Sequence, residues 1–237
     1  MKYLKEPVLS RRLGKSLGID LLQQNICSED CLYCECGPTA VLTRERKEYV
    51  PAAEVKEEID QVLSQKPVTD FVTFSGHGEP TLHSRLGEII SYIKDNYPDY
   101  RVALLTNSTL LKDHEVQQEL TELDLLVPSL DAGQEKTFQK ICRLGGSISL
   151  EDLVTGILEV KNIIKADLWL EIFLIKDLND GPKEISALIE LVKKIKPDRV
   201  DLNTINRGPA YPGFRPLTAE ELNCLAEKFP GDVRTFT

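Results

Sequence analysis

The chain has 237 residues, 41% of them hydrophobic, and 38 acidic against 29 basic side chains give a formal net charge of -9. A chain of this size can bury one sizeable core without disulfide staples, and no Gly/Ser/Pro-rich linker divides it, so a single domain over 1–237 is expected. The acidic balance argues against a surface built to coat nucleic acid. No apolar run approaches the roughly 20 residues that cross a bilayer, so no membrane partner is expected.

Near the start, Arg11, Arg12 and Lys15 form the best candidate basic patch, although three basic residues in one exposed loop are usually just solvated charge. A strand is predicted over Gly18 to Leu22, followed by the cysteine-rich run Cys27-Ser-Glu-Asp-Cys31-Leu-Tyr-Cys34 and a helix over Ala52 to Ser64. The strand Asp70 to Ser75 leads into the turn Ser75-Gly-His-Gly-Glu-Pro80 and a helix over Arg85 to Asn96. Further strands are predicted over Arg101 to Thr106, Leu123 to Ser129, Leu168 to Ile175 and Arg199 to Asn203. The helices between and after them cover His114 to Leu123, Glu135 to Ile141, Leu150 to Lys165, Lys183 to Lys196 and Thr218 to Lys228. The last opens with a capping-box pattern, Thr218-x-x-Glu221. Aliphatic runs alternating with amphipathic stretches are the signature of an α/β fold with a parallel sheet, and six such units make a partial (β/α)6 barrel. The cysteine loop then follows the first strand and the glycine turn the second, both on the functional face at the carboxyl ends of the strands.

Cys27, Cys31 and Cys34, separated by three and then two residues, can hold three irons of one 4Fe-4S cluster and leave the fourth open to a ligand. The bland alternative is a zinc knuckle closed by Cys36, but zinc sites usually pair two short Cys-x-x-Cys units rather than crowd four thiols into one loop. A disulfide framework is less consistent still, because the thiols are clustered and no apolar signal segment opens the chain. A reducing, cytoplasmic setting fits best.

With these motifs in hand, the chain resembles the radical S-adenosylmethionine (SAM) enzymes, and within them the subgroup related to the tRNA wyosine-synthesising enzyme. The stretches that carry the likeness are Ser10 to Asp20, the cysteine loop, Phe71 to Leu82, Leu104 to Asn107 and Pro128 to Asp131. The resemblance implies a 4Fe-4S cluster on Cys27, Cys31 and Cys34, SAM chelated to the open iron, and reductive cleavage to a 5'-deoxyadenosyl radical that abstracts hydrogen from a substrate. It implies Tyr33 near the adenine, and Gly76, Gly78, Glu79 and Pro80 in the turn that receives the methionine amino group, where a carboxylate pairs naturally with an ammonium. Asn107 and Ser129 match positions that contact the ribose or carboxylate. It also implies a one-electron donor such as flavodoxin or ferredoxin. His77 falls where relatives vary and reads as spacing or an indirect contact. The named relative uses a second cluster held by upstream cysteines, and no cysteine precedes Cys27 here, so neither an auxiliary cluster nor the tricycle-forming reaction on tRNA is expected. A small molecule or protein substrate is favoured over tRNA by the acidity.

Independently of the family, Glu171 interrupts an otherwise aliphatic strand, and Asp201 and Asn203 share one face of the sixth. A buried carboxylate without partners costs roughly 3 kcal/mol or more, so Glu171 must be ion-paired, neutral, or exposed to water in a cavity, where it would bind ligand. Asp20 carries the same ambiguity. Arg143, in the loop after the fourth strand, is a candidate clamp for a carboxylate or phosphate. The turn-rich loop from Asn206 to Pro216 reads as either lid or connector. Two other functions remain: cleavage of a different carbon-sulfur bond of SAM, and a zinc-stabilised binding module without redox chemistry.

Overall fold

A computed structural model describes residues 1–237. Its strands are β1 (Val8–Ser10), β2 (Gly14–Ile19), β3 (Ile26–Cys27), β4 (Val41–Leu42), β5 (Phe71–Phe74), β6 (Val102–Thr106), β7 (Leu125–Pro128), β8 (Asp167–Leu174), β9 (Arg199–Thr204) and β10 (Val233–Phe236). The helices are α1 (Ala52–Leu63), α2 (Leu86–Asn96), α3 (His114–Glu119), α4 (Glu135–Cys142), α5 (Leu150–Ile163), α6 (Pro182–Ile195) and α7 (Ala219–Ala226). The main sheet runs β1-β2-β5-β6-β7-β8-β9-β10, with β1 antiparallel to β2 and every other pairing parallel. It curls into a half barrel with the helices outside, the partial α/β barrel expected. No helix is long and apolar enough to cross a membrane.

Three departures from expectation have local causes. The first strand occupies Gly14–Ile19 rather than 18–22, because the Asp20 carboxylate accepts hydrogen bonds from the Leu22 and Gln23 amides and turns the chain out of the sheet. A seventh parallel strand, β10, pairs with β9 beyond the sixth unit. α3 stops at Glu119 because the amides of Leu120, Thr121 and Leu123 bond three residues back, tightening into a turn. The capping box at Thr218 and Glu221 forms as read.

The alternation of side chains along the strands separates two environments. Val72, Phe74, Val102, Leu104, Leu126, Leu168, Leu170, Ile172, Val200 and Leu202 point outward into the core shared with the helices. Inside the barrel, Phe71, Ala103, Leu125 and Val127 pack around Leu13, which the β1-β2 turn inserts into the lumen, with Leu105 and Trp169 alongside. The inner face becomes polar toward the carboxyl ends: Trp169 pairs with Arg199, Glu171 with Asp201 and Phe173 with Asn203 across β8 and β9. Fully buried Asp201 is held by two 2.6 Å bonds from Arg199, whose guanidinium stacks 3.3 Å from the Trp169 ring centroid. Leu13 thus fills one end of the lumen, and the polar end stays open.

Candidate functional site

The loops at the carboxyl ends of β2, β3, β5, β6, β7, β8 and β9 surround a cavity of about 540 Å³. Cys27, Cys31, Cys34 and Tyr33 line it together with Gly76, Gly78, Glu79, Pro80, Asn107, Ser129 and Glu171. Residues as far apart in sequence as Arg11 and Arg207 therefore share one chamber. Arg143 does not line it. Its guanidinium pairs with Asp30 at 3.1 Å and stacks 4.2 Å from the Tyr211 ring, a contact that braces the cysteine loop from outside, so the expected ligand clamp is corrected to a support.

Backbone bonds from Asp30 to Cys142 and from Leu32 to Ile141 tie the cysteine loop to the end of α4. Two carboxylate bonds reinforce it: Asp30 accepts from the Thr39 amide at 2.9 Å and from the Tyr211 hydroxyl at 2.7 Å. The Asn107 amide reaches Cys27 Sγ at 3.4 Å and Ser28 Oγ at 2.9 Å. Cys31 donates to Glu29 at 3.0 Å, and Glu29, Cys31 and Cys142 bring donor atoms within 4.8 Å of one another. That wall contact joins Cys142 to the loop, although the two lie far apart in sequence. Burial and neighbouring carboxylates push the Cys27 thiol well up, contact with Cys142 and burial do the same to Cys31, and a hydrogen bond from Cys36 brings Cys34 down to about 7. The two raised thiols ionise on meeting a metal, which binds with release of protons.

In the glycine turn, Gly76 (φ +122°) and Gly78 (φ +72°) adopt backbone angles that side chains resist. A Cβ on Gly78 would lie 1.8 Å from the Ile26 carbonyl oxygen, so the turn and the strand leading to Cys27 touch backbone to backbone. Glu79 is buried and accepts from the Thr81 amide (3.0 Å), the Thr81 and Thr106 hydroxyls (2.7 Å each) and the Asn107 amide (2.7 Å). Three of these bonds fall on Oε1 and one on Oε2, so the carboxylate orders the turn while Oε2, in a residue that lines the cavity, keeps accepting capacity for a ligand ammonium. His77 Nδ1 lies 2.6 Å from buried Asp20, which fixes the ring at the cavity edge. Glu171 is ion-paired with Arg12 and accepts from Asn203 at 2.6 Å, so the structural pairing and the cavity position are both realised.

Tyr33 stacks on Phe173 with centroids 3.9 Å apart and donates its hydroxyl to Asp131, which also accepts from the Phe173 amide at 2.8 Å. The motif ending at Asp131 was visible in sequence, but nothing in it pointed to Tyr33 or Phe173. Burial raises the Asp131 carboxyl to about 7, against an ordinary value of roughly 3.9. The native state thus binds a proton that the unfolded chain releases, so the stability Asp131 contributes is full below about pH 4 and is lost as pH rises through about 7. Asp131→Asn cannot ionise. Relative to the parent it gains on the order of 2–4 kcal/mol between pH 4 and 8 in urea unfolding, whereas a pH-independent difference between the two proteins would contradict the assignment.

The family model described as the radical SAM superfamily matches residues 22–196. The chain belongs to the radical SAM superfamily. Among curated relatives, a UPF0026 protein of Helicobacter pylori is 34% identical over 221 residues, which is 92% of this chain and 71% of that protein. A protein of Brachyspira hyodysenteriae named GTPase Obg is 38% identical over 223 residues, and there the chain spans only 33% of the relative's length. The crystal structure of a radical SAM methyltransferase from Sphaerobacter thermophilus superposes with a TM-score of 0.70 at 17% identity, covering 93% of this chain and 66% of that one. That likeness bears on the fold. Neither curated name is that of a wyosine-synthesising enzyme, so membership stands at the level of the superfamily. Membership implies SAM and a 4Fe-4S cluster, and the residues present suit both: three soft thiols open on one chamber, beside a turn whose two glycines leave no room for side chains.

Proposed function

We propose that the chain forms one radical SAM core domain that cleaves SAM reductively and passes the resulting 5'-deoxyadenosyl radical to a substrate that loses hydrogen. The observation that carries this reading is the convergence of Cys27, Cys31 and Cys34 with Gly76, Gly78 and Tyr33 on one cavity at the carboxyl ends of the strands. When bound, a 4Fe-4S cluster supplies the electron and the open coordination position for the methionine end of SAM. The three thiols hold it. The turn at Gly76 to Pro80 accepts the amino group through its backbone and through Glu79 Oε2, while Glu79 Oε1 keeps the turn in shape. Tyr33, fixed by Phe173 and Asp131, gives the adenine an aromatic face. Asn107 and Ser129 reach the ribose or carboxylate, and Glu171 with Arg12 forms the polar floor beneath. A soluble one-electron donor of the flavodoxin or ferredoxin kind serves in a reducing cytoplasm.

The test is anaerobic reconstitution, assay of iron and acid-labile sulfide, reduction with dithionite and mass spectrometry of SAM products. Methionine and 5'-deoxyadenosine are expected. A sulfur-containing nucleoside in their place means that a different carbon-sulfur bond breaks. Stoichiometric zinc with neither iron nor sulfide removes the radical reading altogether.

A further inference from the structure

The cavity holds guanidinium donors that the cluster and SAM contacts leave unused. In a chain of net charge -9 its lining includes three arginines, Arg11, Arg12 and Arg207, and no lysine. Two come from the β1-β2 turn and the third from the loop after β9, strands far apart in the sheet order. The hairpin turn bridges that separation: Arg12 pairs with Glu171 on β8, and its carbonyl accepts from Arg199 on β9 at 3.4 Å.

The donors are incompletely engaged. Arg12 uses one terminal nitrogen on Glu171, and its Nε and Nη2 donate to no protein atom. Arg11 makes no side-chain hydrogen bond or ion pair. Arg207 has only Glu35 at 3.4 Å, an exposed pair of the kind worth roughly 0–1 kcal/mol and readily exchanged for a better partner. Of the four lining carboxylates only Glu35 competes, through its exposed pair with Arg207: Glu171 is held by Arg12 and Asn203, Glu79 by four donors, and Glu29 faces Cys31. A carboxylate is satisfied by one guanidinium fork, whereas a phosphate group carries more charge and has oxygens for several.

We infer that the substrate of this cavity is a phosphorylated small molecule whose phosphate is received by Arg11, Arg12 and Arg207. This rests on the radical SAM reading and narrows it to a substrate class. Arg12 is the fixed donor, and the more exposed Arg11 and Arg207 close on the phosphate from the β1-β2 turn and from the loop after β9. Removing Arg12 would strand buried Glu171, so the informative changes are at the other two positions.

The experiment titrates inorganic pyrophosphate into the reconstituted protein, with saturating SAM present, by isothermal calorimetry. Saturable one-to-one binding is expected, weakened at least tenfold by Arg11→Ala and by Arg207→Ala, with succinate binding more weakly than pyrophosphate. Far-ultraviolet circular dichroism checks that both variants keep the fold. Absence of saturable binding, binding unchanged in the double variant, succinate binding as tightly, or mutual exclusion of pyrophosphate and SAM each overturns the inference. The last would give the arginines to the SAM carboxylate. Assay of 5'-deoxyadenosine, iron, sulfide and zinc in the same preparation separates the two layers: cleavage without pyrophosphate binding sinks only the phosphate site, and pyrophosphate binding by a protein that holds stoichiometric zinc with neither iron nor sulfide sinks the radical reading instead.

Discussion

Alanine at Cys27, Cys31 or Cys34 is expected to lower reconstituted iron and sulfide to background and to abolish SAM cleavage, whereas Cys142→Ser and Cys36→Ser retain both. The contrast matters because Cys31 lies against Cys142 and Glu29 on one wall, so proximity alone would nominate Cys142 as a ligand. Its position decides against it. Cys142 is buried at the end of a helix and does not line the cavity, while Cys27, Cys31 and Cys34 all do. Cys36 is exposed and reaches the Gly76 carbonyl at 3.5 Å, a weak contact that ligation would not need to preserve. Iron and sulfide analysis of the six proteins, together with the visible charge-transfer absorption of the cluster, checks the expectation. A Cys142→Ser protein without iron would move the metal site to the wall.

Much of the framework was legible from the chain because its signals are local. The helices carry apolar stripes at helical spacing, and their observed limits differ from the reading by a few residues at the ends, where caps and turns compete. The cysteine loop and the glycine turn could be read because each draws its groups from a short segment. What escaped depends on distant segments or on weak patterns. Val8 and Leu9 in β1 are 59% and 87% exposed, so that strand has no buried face to announce it. β10 is four residues long and follows the last helix closely. Arg12 with Glu171, Cys31 with Cys142, and Tyr33 with Phe173 and Asp131 meet only because the sheet curls. Arg143 was misassigned for the same reason: a loop after a barrel strand is a good place for a ligand clamp, but Asp30 and Tyr211 are packed against this one.

Gly78→Ala is the single substitution expected to damage both fold and site most. A β-carbon there would lie 1.8 Å from the Ile26 oxygen, 2.7 Å from the Ile26 carbonyl carbon and 2.8 Å from a Leu22 methyl, at a φ of +72° that alanine resists. Backbone cannot swing aside as a side-chain end can, so relief requires separating the turn from β3, which breaks the 3.0 Å bond from the Glu79 amide to Ile26. Overpacking costs about 1–3 kcal/mol and the left-handed backbone about 1–2 more, giving a loss on the order of 2–5 kcal/mol in urea unfolding. The displacement falls on the residue before Cys27, so iron retention should drop even under conditions where the variant stays folded. Gly181→Ala provides the control, since its position is open within 4 Å and its φ of -71° is ordinary. A Gly78→Ala protein as stable as Gly181→Ala, with its full iron complement, would show that the turn and the cysteine loop are not mechanically joined.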